Sequence, residues 1–199
     1  MEPQKAATEA VRETEGQILC QNGEAVEAYY FSTSAGVTST DEIWGSDEAA
    51  PYLRSVPCKF DEEEPWSSWI VELPWKMLED RIREKGEGTV LRSVTVTRRS
   101  ESGAATALEA VSDKDSCIIE NEYEIRKFLA PVNCMITEKD GTETAGGSLL
   151  PSAYFELERT QNGNLQVRGK GYGHGVGMSQ TGADKMAEQG YDYREILDY

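Results

Sequence analysis

The chain has 199 residues, a formal net charge of −16, 38% hydrophobic and 28% charged residues. That length supports one domain of ordinary size or two small ones, and the composition fits a soluble globular chain and neither a disordered nor a membrane-embedded one. Thirty-six acidic against 20 basic residues repel a phosphate backbone, so nucleic acid is not an expected partner, and no apolar run approaches the roughly 18 residues of a transmembrane helix, so no membrane span is expected in this chain.

In chain order, Pro3 to Arg12 predicts a short helix with Ala6, Ala7, Ala10 and Val11 at helical spacing. A hairpin follows: Gln17 to Cys20 and Ala25 to Phe31 are β-rich runs around Asn22-Gly23, a strong two-residue turn signal. Pro51 to Val56 and Trp66 to Leu73 read as strands. Pro74 then opens a helix over Trp75 to Lys85, with Met77, Leu78 and Ile82 on one face and Gly86 as its stop. Val90 to Thr97 alternates as a strand, Ala104 to Val111 continues it, and a helix is expected over Glu124 to Leu129. Gly141 to Gly147 reads as a flexible loop. Tyr154 to Glu158 and Asn164 to Arg168 form a second hairpin through Asn162-Gly163. Ser179 to Gln189 is a helix stopped at Gly190, and Tyr193 begins another. The expected fold class is α+β, a mixed, mostly antiparallel sheet with several short helices.

The four cysteines, at 20, 58, 117 and 134, have no short metal-ligand spacing, so neither a zinc site nor another metal is expected; two disulfides and buried free thiols both remain open. The acidic run Asp61 to Glu64 reads as a solvated loop. No secretion signal is visible in MEPQKAATEAV.

Val167 to Met178 carries Gly169, Gly171, Gly173, Gly175 and Gly177 at every second position. If extended, this segment presents one bare backbone face and a second face with Lys170, Tyr172 and His174, the chain's single histidine. Glycines supplying positive φ in an irregular loop is the competing reading. The G-x-G-x-x-G pattern fails in each register, and no βαβ unit surrounds it. Tyr30, Ser32 and Ser34 place three hydroxyls on one face of an extended segment, a row suited to hydrogen bonding a sugar. Of the many carboxylates, Asp41 and Glu42 adjoin this row beside Trp44.

The segment GYGHGVGMSQTGADKMAEQGYDYREILDY resembles the C-terminal signature of the stage II sporulation protein D family. NGEAVEAYYFSTSAGVT, DEIWG, PYLRSV and LPSAYFELE support the resemblance in the family's order, so that it covers essentially the whole chain. The resemblance implies a peptidoglycan lytic transglycosylase acting outside the cytoplasm, in the cell wall or the intermembrane space of a developing spore. One Glu protonates the glycosidic oxygen, then deprotonates the muramoyl 6-hydroxyl to close a 1,6-anhydro ring. The resemblance carries over Tyr30, Ser32, Ser34, Gly36, Tyr52, Tyr172, His174, Ser179 and Gln180 as contacts to glycan strands. It implies no cofactor here, since the Cys/His-rich zinc segment of some members has no counterpart. The family's Glu lies in a segment like E-A-L-K-A-Q-A-V-A-A-R-T, which MEPQKAATEA does not reproduce. The expectation is therefore a domain spanning 1–199, truncated at both ends, with its acid upstream; the alternative is a glycan-binding module that does not cut.

Overall fold

The computed structural model describes residues 5–46 and 48–199. The start of the first helix expected at Pro3 lies outside them. Helix α1 (Lys5–Glu13) leaves Ala7, Ala10 and Val11 exposed, so these three bury no apolar face. The first hairpin is shorter than its β-rich composition suggests: β1 (Cys20–Gln21) and β2 (Glu24–Ala25) pair around Asn22 and Gly23, both at positive φ as a type I′ turn requires. The expected second strand does not run on to Phe31. Instead β3 (Tyr30–Phe31) pairs in parallel with residues 178–179 near the other end of the chain.

A 3-10 turn at Pro65–Ser67 leads into β4 (Trp69–Leu73). Helix α2 (Trp75–Glu84) buries Leu78 and Ile82 and ends at Gly86, whose φ of 76° lets the chain turn away. Strands β5 (Leu91–Arg99), β6 (Ala105–Ser112) and β7 (Ser116–Glu120) form an antiparallel meander, followed by α3 (Glu122–Phe128). The simple alternation expected over Val90 to Thr97 is broken: a register shift between Leu91 and Ser93 puts both Leu91 and Val94 on the buried side. Next come β8 (Met135–Glu138) and β9 (Glu143–Ala145), so the segment expected to be a loop at 141–147 contains a strand, with Gly141 in its turn. Strands β10 (Phe155–Arg159) and β11 (Leu165–Gly169) make the predicted second hairpin. After β12 (Met178–Ser179) the chain ends in α4 (Gln180–Glu188) and α5 (Tyr193–Asp198).

Five strands lie in the order β10-β11-β4-β8-β9, all antiparallel. With the meander and helices α2 and α3 they enclose one apolar core that includes Val71, Leu78, Leu108, Ile125, Leu129 and Val167. A smaller core of Ile43, Leu53, Ala153, Tyr154 and Val176 lies beneath the loops that join the two ends of the chain. Residues 51–56 form no strand; Leu53 fills this second core from a coil, and Pro57 makes one bridge to Val37. The α+β class stands, with helices and mostly antiparallel strands in one chain.

Candidate functional site

Two segments far apart in sequence build the site, residues 29–40 and 171–181. Thr33 and Tyr172 exchange both main-chain hydrogen bonds, Ser39 N–H donates to the Gly175 carbonyl, Met178 N–H to Tyr29, and Thr181 N–H to Ser32. Lacing of this kind brings two backbones closer than side chains permit. A Cβ on Gly177 would lie 2.2 Å from the Tyr29 carbonyl oxygen, and one on Gly171 2.8 Å from that of Thr33. Both residues also hold positive φ, as do Gly173 and Gly175. The glycine row is therefore a winding loop, not a flat strand with one bare face. Gly169, the one member in a strand, has a different reason: Trp69 fills the place of its side chain and donates its indole N–H to the Gly171 carbonyl at 2.9 Å.

Beneath the laced loops lies Asp61, with 0% exposure. It accepts from Ser34 N–H at 2.7 Å, Ser34 Oγ at 2.6 Å and Ser179 Oγ at 2.6 Å. Ser179 in turn accepts from Gly182 N–H, capping α4. The expectation of a solvated loop at 61–64 thus fails at its first residue: Asp61 is the polar pin between the two halves of the site. Cys58 beside it is held as a thiol, burial pushing its pKa up to about 11. All four cysteines are free. No local pattern marks Asp61, because what distinguishes it from Glu62 to Glu64 is a pair of serines remote in the chain.

The nine residues expected to hold glycan divide accordingly. Tyr30, 61% exposed, and Tyr172, 43% exposed, stand on the surface with Tyr52 and Gln180. Tyr172 meets Trp66 edge-on at 4.7 Å. Ser34 and Ser179 lie below, 2% and 4% exposed, with their hydroxyls engaged by Asp61. Gly36 and Ser34 line a depression of about 230 Å³ with Ser67, Ser68, Lys139 and Lys170. Ser32 accepts from Thr181 through its carbonyl, and its hydroxyl lies 3.3 Å from that of Thr33. Tyr52 belongs to the Tyr29 side of the surface. It contributes with Asp41 to raising the Tyr29 phenol pKa, an effect led by donation to Glu27.

His174 is half-buried between aromatic edges, 5.1 Å from Trp44 and 5.9 Å from Phe31. Val176 N–H donates to its Nδ1 at 3.1 Å, which places the ring proton on Nε2 in the neutral form. Desolvation holds its pKa below the ordinary value, partly opposed by the charge of Glu122. With Nδ1 engaged by Val176 and the other ring nitrogen bonded to the Tyr30 main chain, the imidazole braces the two loops and is poorly placed as a general base. Glu122 is another residue that sequence reading passed over. It is buried at the start of α3, receives Trp44 Nε1–H at 3.2 Å, and pairs with Arg126 at 3.0 Å. Arg126 Nε donates to Leu150 O and one terminal nitrogen to Pro151 O, the same carbonyl that accepts from Gly173 N–H. One buried ion pair thus fastens Trp44 on one wall and the glycine loop on the other.

The acids beside the hydroxyl row are engaged too: Asp41 accepts from Ala50 N–H and Glu42 from Thr40 Oγ1. No three His, Cys, Asp or Glu side chains among the described residues cluster to hold a metal, and no helix among them is long and apolar enough to cross a membrane.

A family model described as a domain of unknown function, DUF8618, matches residues 54–177. Stage II sporulation protein D of Bacillus amyloliquefaciens is 32% identical over 193 residues, covering 97% of this chain and 48% of that protein. Its counterpart from Bacillus subtilis (strain 168) is 31% identical over 196 residues, 98% of this chain and 49% of that protein. The chain belongs to the stage II sporulation protein D family, with a DUF8618 domain at residues 54–177. The amidase enhancer of Bacillus subtilis (strain 168) is more distant, 23% identical over 223 residues, 96% of this chain and 31% of that protein. The chain spans about half the length of the stage II sporulation protein D relatives it matches. In this chain residues 29–40 lie before the DUF8618 match and the glycine segment at its end, with the sheets between them.

Proposed function

We propose that this chain serves in sporulation or cell-wall remodelling by holding peptidoglycan glycan strands, outside the cytoplasm, for lytic transglycosylation. The names of its relatives, a sporulation protein and an enhancer of an amidase, support the cell-wall setting. The observation that carries the glycan reading is the exposure of four aromatic side chains, Tyr30, Trp44, Tyr52 and Tyr172, on or beside the hydroxyl- and backbone-rich laced loops. Aromatic faces stack on sugar rings through their C–H bonds, and neighbouring hydroxyls and Gln180 supply the directional hydrogen bonds.

Cleavage needs a carboxylic acid beside the scissile oxygen, protonated at the start and basic afterwards. Asp61 and Glu122 are both buried and fully engaged, and Asp41 and Glu42 serve local backbone and hydroxyl groups. In this reading the proton donor belongs to a segment outside residues 5–199, and the present residues bind and orient the strand. The same engagement of acids favours a second reading, a module that binds glycan without cutting it.

Denuded glycan strands distinguish these. The chain should co-sediment with them, and Tyr172→Ala with Tyr30→Ala should weaken this at least tenfold; unchanged binding overturns the glycan reading. Release of 1,6-anhydro products by the 199-residue chain alone would locate the acid within it and overturn the assignment to another segment.

A further inference from the structure

The DUF8618 sheets end in two unpaired edges that face each other. β5 is the outer strand of the meander and β10 the outer strand of the five-stranded sheet. At one end they are tied by Arg99, which donates to the Phe155 carbonyl and pairs with Glu156. From that tie they diverge, opening a groove of about 530 Å³. Its walls include Leu157 and Leu165 on one side and the run Arg92 to Thr95 on the other. Successive side chains of a strand point to opposite faces, so four consecutive residues line one groove only where the strand presents its edge. The main-chain groups of Leu91 are taken by Glu79 and the Trp75 indole, so the edge open to another strand begins at Arg92.

Charge identifies the occupant. Arg98, Arg99 and Arg168 on these strands each pair with a glutamate. Arg92 and Arg159, both on the groove, form no ion pair among the described residues, in a chain of net charge −16. Arg159 lies over Trp75, its guanidinium carbon 3.2 Å from the ring centroid, and its side chain donates no hydrogen bond among the described residues. The nearby acid, Glu79, is occupied by the Leu91 N–H. Charged side chains also serve to keep edges from pairing, but a guarded edge has no need of an apolar trough behind it. Two copies of so acidic a chain repel each other, which disfavours self-pairing.

We propose that the groove between β5 and β10 is a docking site for an extended acidic segment of a partner protein, which adds as a strand to β5 and places its carboxylates on Arg92 and Arg159. Main-chain hydrogen bonds give such a complex its affinity, and alternate side chains its selectivity. Leu157 and Leu165 receive the apolar residues of the incoming strand. This role belongs to the DUF8618 segment and is independent of glycan binding at the loops.

The test is titration of isotope-labelled full chain with an octapeptide alternating valine and glutamate, and with its valine–lysine counterpart. The glutamate peptide should bind with Kd of about 100 µM or tighter, shift the amide resonances of residues 92–95, and bind at least tenfold more weakly to Arg92→Glu/Arg159→Glu. Arg92→Gln, an exposed single change, should give a smaller loss with an unchanged melting temperature. Equal binding of the lysine peptide, shifts confined to other residues, or no binding at about 1 mM peptide overturns the proposal. So does a concentration-dependent dimer that excludes the peptide, which would assign the groove to a second copy.

Discussion

The two cores of this molecule are held by different forces. Between the sheets, regular strands with β-branched and leucine side chains remove apolar surface from water, and the fold there tolerates most local changes of polarity on its outer face. At the joined ends there is little regular structure: β3 and β12 have two residues each. Beyond the small apolar cluster of Ile43, Leu53 and Val176, stability there comes from backbone contact at glycines and from one buried carboxylate that accepts from Ser34 N–H, Ser34 Oγ and Ser179 Oγ. The first kind of packing is forgiving of shape, since an apolar contact has no direction; the second fails when any one donor or acceptor is lost.

Removing the carboxylate should produce the largest effect. Asp61→Ala leaves Ser34 N–H without its acceptor and the Ser34 and Ser179 hydroxyls with only the longer contacts to the Cys58 and Ser32 carbonyls, and a loss of about 3–5 kcal/mol is expected in urea denaturation. Leu108→Ala in the other core should cost about 2–5 kcal/mol through its cavity, yet leave glycan co-sedimentation unchanged while the chain is folded. If both substitutions abolish binding equally, the division between the two regions is wrong. Gly177→Ala should cost about 2–3 kcal/mol, because its Cβ meets the Tyr29 carbonyl, whereas Gly45→Ala, with positive φ and open space, should cost about 1 kcal/mol. Trp44→Phe removes the indole N–H donor to Glu122 and is expected to cost about 1 kcal/mol in the same assay.

The smallest effect is a pH dependence at His174. Its folded pKa lies below the ordinary 6.5. The unfolded chain therefore takes up a proton that the buried ring refuses. This contribution to stability is complete above about pH 6.5 and is lost as pH falls through that value toward the depressed folded pKa. His174→Asn should flatten the fall in urea midpoint between pH 7.5 and 5.5 relative to the parent chain; identical slopes would show that the ring titrates normally.

Local chemistry explains what was legible in the sequence. Asn22-Gly23, Asn162-Gly163, Gly86 and Gly190 mark turns or helix stops wherever their conformational preference acts within a few residues. The glycine row was visible as an anomaly, and the family resemblance followed from it. Pro51 to Val56 looked β-rich, but Leu53 is used as an anchor in the small core, which needs no strand. Asp61 and Glu122 were illegible for a stronger reason. An acidic residue in a polar run reads as solvated unless its partners are known, and the partners of Asp61 come from positions 34 and 179. The free edge of β5 was hidden likewise, since which strand ends a sheet depends on pairing order.

The parallel contact of β3 with β12 also has a consequence for how the molecule is made. Thr33 and Thr181, whose hydroxyls meet at 3.1 Å, are 148 positions apart. A growing chain cannot complete the laced loops until Ser179 has been synthesised, whereas the meander of β5 to β7 closes among near neighbours. Closing so long a loop costs little more than a loop half its length, about 0.6 kcal/mol, but it slows the search. The laced-loop surface is thus the last to close, so a nascent chain stalled before Gly171 has the DUF8618 strands and no site.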